Sequence, residues 1–122
     1  MQNLNKSVGY KSFGLTISSD FALPELQSIN LGKNTADVHV FKTDLSFEWT
    51  ELVGENENFV VKRDFVMFRV PGVAIYLINN GNEIYVSPLA NNDEDQVRLY
   101  ILGTCMGALL LQRKVLHLHG SA

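Results

Sequence analysis

Cysteine is nearly absent: Cys105 is the one thiol in 122 residues. An internal disulfide is therefore excluded, and the chain suits a reducing cytoplasm. Cys105 lies among aliphatic residues, so it reads as packing and not as a nucleophile, which needs an electropositive setting. A membrane-length apolar run is also missing. The longest run covers residues 99–111, is interrupted by Gly103, Thr104 and Gly107, and is shorter than the ~20 residues of a membrane span. The residues after Met1 carry no apolar signal core. Basic residues are not in excess, with 10 Lys and Arg against 13 Asp and Glu. The only adjacent basic pairs are Lys62-Arg63 and Arg113-Lys114, and a nucleic-acid surface needs clusters. The expectation is a cytoplasmic protein that binds neither membrane nor nucleic acid. A hydrophobic content of 46% supports one core, so residues 1–122 read as a single domain.

Proline is scarce too, and each of the three marks a break. Residues 10–18 alternate, with Phe13, Leu15 and Ile17 on one side and Ser12, Gly14 and Thr16 on the other, as in a half-buried strand. Leu23-Pro24 opens a loop, and polar residues 27–35 read as connection. A second strand covers residues 37–42, with Val38 and Val40 opposed to His39 and Phe41. Residues 44–57 are acidic, carrying Asp44, Glu48, Glu51, Glu55 and Glu57 against no base. They form either a solvated loop or a docking surface for a basic partner, with Trp49, Glu51 and Glu55 as the docking residues. Trp49 would also pin this segment to the sheet.

Residues 59–88 read as an antiparallel meander. Residues 65–70 are apolar on both faces apart from Arg69, so they look central. Pro71-Gly72 fits the middle of a type II turn and Asn80-Gly81 a type I′ hairpin. Ile84 and Val86 face inward, and Glu83, Tyr85 and Ser87 face outward. Pro88 ends the β-rich part, residues 8–88.

A helix follows over residues 93–113. Asp93 is the N-cap, with Gln96 in the capping-box position. Asp93, Glu94 and Asp95 complement the positive end of the dipole, and Arg113 and Lys114 the negative end. Apolar residues surround nearly the whole circumference, which predicts burial on several sides. Gly103 and Gly107 share a face and would admit a closely packed neighbour. Residues 115–121 read as a final strand. The predicted fold class is thus α+β: an antiparallel β meander packed on one long hydrophobic C-terminal helix, followed by a final strand.

The stretches Arg98-Leu99-Tyr100-Ile101-Leu102-Gly103, Gly107-Ala108-Leu109-Leu110-Leu111-Gln112-Arg113 and Leu116-His117-Leu118-His119-Gly120-Ser121-Ala122 resemble the HPr-serine-kinase-like proteins. Some members phosphorylate ribosomally made peptide precursors, lasso-peptide precursors among them. Phe13-Gly14-Leu15, Leu23-Pro24-Glu25-Leu26 and Val66-Met67-Phe68 are similar to that family's amino-terminal region. The resemblance implies an amino-terminal domain, followed in the family by a G-x-x-x-x-G-K-[ST] loop and an acidic catalytic base. Neither is found in this sequence. Such a loop cradles phosphates and holds Mg²⁺, so this chain alone is expected to be no enzyme and to carry no cofactor. ATP and Mg²⁺ would belong to the intact parent, a serine kinase. The implied partners are a C-terminal kinase domain and a peptide or protein substrate, with a homo-oligomer as a further possibility. His119, in the His-Gly pair, takes the family's active-site position as a latent catalytic residue.

The remaining candidates are thin. His117 and His119 share a strand face and form a minimal metal pair, which His39 could approach, but no ligand cluster completes it, so no metal site is assigned. Ser121 lacks a G-x-S-x-G context. Asp93 and Asp95 are explained by helix capping.

Overall fold

Alternating apolar residues and turn dipeptides dominate the chain, and they build a sheet. The computed structural model describes residues 8–54 and 57–118. Its strands are β1 (Val8–Ser12), β2 (Leu15–Ser19), β3 (Gln27–Asn30), β4 (Val38–Lys42), β5 (Phe59–Val61), β6 (Phe65–Val70), β7 (Ala74–Asn79) and β8 (Glu83–Pro88). They form one eight-stranded sheet in the order β3-β1-β2-β4-β8-β7-β6-β5. A short helix, α1 (Ser46–Leu52), lies between β4 and β5. The chain ends in a long helical stretch: α2 (Glu94–Tyr100), a π-helical turn (Ile101–Cys105) and α3 (Met106–Leu118). The α+β class and the β6–β7–β8 meander are as the sequence predicts.

The sheet is mostly antiparallel, but β2, β4 and β8 run parallel to one another. Parallel neighbours need long crossovers. Those are supplied by residues 20–37 on one side, and on the other by the chain through α1 and the first three strands of the meander. The alternation places Val38, Val40, Ala74, Tyr76, Ile78, Ile84 and Val86 on one face. There they bury against Val97, Ile101, Cys105, Met106 and Leu109 of the long helix. On the opposite face α1 brings Leu45 and Trp49 against Met67 and Ile75.

Several local readings are corrected. Residues 10–18 form two strands of a hairpin and not one strand, because Phe13 and Gly14 take positive φ (53° and 76°) and reverse the chain. Phe13 is then an exposed turn residue and not a core residue. The polar residues 27–35 include β3, which completes the sheet by pairing with β1. The strand β6 is next to the edge and not central. The acidic stretch is helical over Ser46–Leu52 and not a loop, since Asp44 accepts from the Ser46 N–H at 2.9 Å and opens the turn.

The final strand over residues 115–121 is not formed within the described range. The helix continues through Leu118, because extending an existing helix adds a hydrogen bond for each residue fixed. Residues 119–122 lie outside the described residues. The long helix is also not buried all round: Leu99 and Leu111 are 60% and 62% exposed. A Cβ built on Gly103 or Gly107 would meet nothing within 4 Å, so no described element uses the close approach that these glycines permit.

Candidate functional site

The three parallel strands end together, which creates a hollow at their carboxyl ends. Asp20, just past β2, donates its N–H to the Val40 carbonyl at 2.9 Å, and its carboxylate accepts the Lys42 N–H at 2.9 Å. These bonds fasten the ends of β2 and β4. The turn beyond is closed by Ser19, whose hydroxyl accepts from the Phe21 N–H and donates to the Phe21 carbonyl. On the β8 side, Pro88 ends the ladder and Asn92 donates to the Leu89 carbonyl at 2.8 Å. Asp93 then caps α2 by accepting from the Asp95 N–H at 2.9 Å, as its sequence position predicts.

Between these ends lies a cleft of about 270 Å³. Phe21, Pro88 and Val97 form its apolar wall, and Asp20, Lys42, Asn92, Glu94 and Arg98 its polar rim. In open α/β sheets this position, outside the carboxyl ends of parallel strands, is where ligands bind. The two basic groups differ in freedom. Arg98 meets both carboxylate oxygens of Glu25 at 3.1 Å and Asp95 at 2.8 Å, and these acids raise its pKa further. Lys42 is exposed and makes no ion pair among the described residues. The cleft therefore offers one uncommitted ammonium, carboxylates at Asp20 and Glu94, and an apolar wall, a set suited to holding a peptide segment.

The other candidates are placed as follows. Trp49 is 6% exposed, and the Arg69 guanidinium lies 4.9 Å over its ring. That packing makes it the anchor of α1. Glu51 is exposed on α1, and Glu55 lies outside the described residues. His39 faces away from the long helix, stacked on Phe41 at 5.8 Å, whereas α3, which carries His117, lies over the other face. His119 and Ser121 fall outside the described residues. No group of three metal-ligating side chains occurs among the described residues. Cys105 is fully buried, and burial pushes its thiol well above the usual range, consistent with packing. Tyr76 is likewise structural: its hydroxyl donates to the Val97 carbonyl at 3.0 Å, and burial raises its pKa.

One structural residue escaped the sequence reading. Gln112 is 5% exposed, accepts the Gly81 N–H at 2.8 Å and donates to the Ile78 carbonyl at 2.9 Å. Beside it Arg113 donates to the Gly81 carbonyl at 2.8 Å. The pair clamps the Asn80-Gly81 hairpin onto α3. The available signal was a lone amide after three leucines, which in a buried helix needs backbone partners.

Comparisons of the chain with protein-family models, with curated proteins and with solved structures return no match.

Proposed function

We propose that this chain is a non-catalytic recognition and scaffold domain of an ATP-dependent serine kinase resembling HPr kinase, acting on a ribosomal peptide precursor. The family side of this reading rests on the sequence resemblance from Arg98 to Ala122. The binding role rests on one observation, the cleft where β2, β4 and β8 end, with Lys42 beside an apolar wall and in no ion pair among the described residues. A peptide would lay a carboxylate against Lys42 and an apolar side chain against Phe21 and Val97. Phosphoryl transfer belongs to the kinase domain of the parent.

The test is a titration of this chain with a candidate ribosomal precursor peptide. Binding at micromolar concentration is expected, weakened roughly tenfold by Lys42→Glu, in line with loss and reversal of one charge-assisted contact. An absence of binding at high micromolar concentration contradicts the reading. The second reading is a structural or oligomerisation domain with no ligand of its own. It is favoured by the exposure of Leu99 and Leu111 on the long helix.

A further inference from the structure

The strand β5 ends the sheet, and among the described residues nothing pairs with its outer side. The inner side is fixed by the ladder to β6. Arg69 donates to the Asn58 carbonyl at 3.0 Å, Lys62 donates to the Phe65 carbonyl at 2.8 Å, and Val60 stands opposite Met67. Backbone groups alternate sides along an antiparallel strand. The N–H and C=O of Phe59 and Val61 therefore point outward.

Their side chains complete the picture. Phe59 stands opposite Phe68 and Val61 opposite Val66, on the same face as the long helix, and each is 62% exposed. A helix about 10 Å across covers only part of an eight-stranded sheet whose strands are spaced ~4.8 Å apart. The long helix packs over β2, β4, β7 and β8, so it leaves β5 bare. An open edge with apolar side chains is a surface for strand pairing.

The flanking charges identify the partner. Glu57 precedes β5, and Lys62 and Arg63 follow it. Acid at one end and base at the other make the strand complementary to itself when antiparallel. A parallel copy would set Glu57 beside Glu57 and Arg63 beside Arg63, which cross-strand repulsion disfavours. From this we infer that β5 pairs edge to edge with β5 of a second copy, about a two-fold axis at Val60. Phe59 then lies opposite the partner's Val61, and Glu57 opposite the partner's Arg63, each contact occurring twice by symmetry. The two sheets join into one, and the bare apolar strips at their edges cover each other. This edge is separate from the cleft of β2, β4 and β8, so it stands or falls independently of the peptide reading.

Sedimentation of the full chain up to roughly 0.5 mM tests it, a range chosen because so short an edge makes a weak interface. A concentration-dependent dimer is expected. Glu57→Lys and Arg63→Glu, both at exposed positions, should each keep the thermal melt of the parent and weaken dimerisation roughly tenfold or more. An equimolar mixture of the two variants should dimerise again, because in the mixed pair one cross-strand charge contact is native and the other is reversed in sign, and both attract. A parent that stays monomeric overturns the inference, as does a dimer that neither variant weakens. The same holds if the single variants associate no better mixed than apart, or if added precursor peptide occupies β5 on a monomeric chain.

Discussion

Gln112 accepts the Gly81 N–H and adds a second donor to the Ile78 carbonyl, which the ladder between β6 and β7 already engages. Its replacement by leucine keeps the apolar bulk but leaves the buried Gly81 N–H without its partner. A loss of about 1–3 kcal/mol is expected by chemical denaturation; an unchanged midpoint would count against the clamp. Phe13 is the opposite case, a residue held where it is disfavoured. Its φ of 53° in a two-residue turn beside Gly14 is a position that suits asparagine, and its ring is exposed. Phe13→Asn is expected to raise stability by up to about 1 kcal/mol. A drop in melting temperature would show that the ring contributes contacts that its exposure hides. Asp37 supplies a pH signature. The Thr16 N–H donates to its carboxylate at 2.9 Å and the Thr16 hydroxyl at 3.2 Å, which holds its pKa below the ordinary value. A depressed folded pKa means stability that is present above the unfolded value, about pH 4, and lost as pH falls through the folded one. The advantage of the parent over Asp37→Asn should thus be present at pH 7 and shrink as pH falls below about 4. A constant difference across that range would contradict the role.

At the scale of elements, the meander and the helix were legible because their signals are local. Asn80-Gly81 and Pro71-Gly72 fix turns, with Gly81 at φ 70° and Gly72 at φ 77°, and Asp93 caps α2 as its type and position require. The elements that were misread depend on distant partners. Residues 27–30 are polar and become a strand only because β1 offers them a ladder. The hairpin at Phe13-Gly14 hid inside a regular alternation, since a residue pair in a turn can keep the same parity as a strand. Residues 115–118 carry strand-like alternation, but an already formed helix extends through them. The π-helical turn at Ile101–Cys105 could not be read either. It reflects how the helix keeps Val97, Ile101, Cys105 and Leu109 in the core, which is a tertiary constraint.

At the scale of the whole molecule, the parallel alignment of β2, β4 and β8 is what creates the cleft, and no single segment encodes it. Asp20, Lys42, Asn92 and Glu94 come from separated parts of the chain, so composition and spacing gave no sign of their meeting. His119 was singled out from a family likeness and lies outside the described residues. The bare strand β5 was legible only in part: its apolar and charged residues stand in the sequence, and its position at an edge does not. The cleft and the open edge at β5 are thus products of topology as much as of residues.

The most direct measurement is an amide NMR titration of the chain with a candidate ribosomal precursor peptide. Recognition at the cleft should move the resonances of Asp20, Phe21, Lys42 and Asn92 first, at concentrations that leave β5 and the outer face of α3 unchanged, and Lys42→Glu should displace that pattern to roughly tenfold higher peptide concentration. Shifts confined to other surfaces, or none at high micromolar peptide, would contradict a recognition domain built on the ends of the parallel strands.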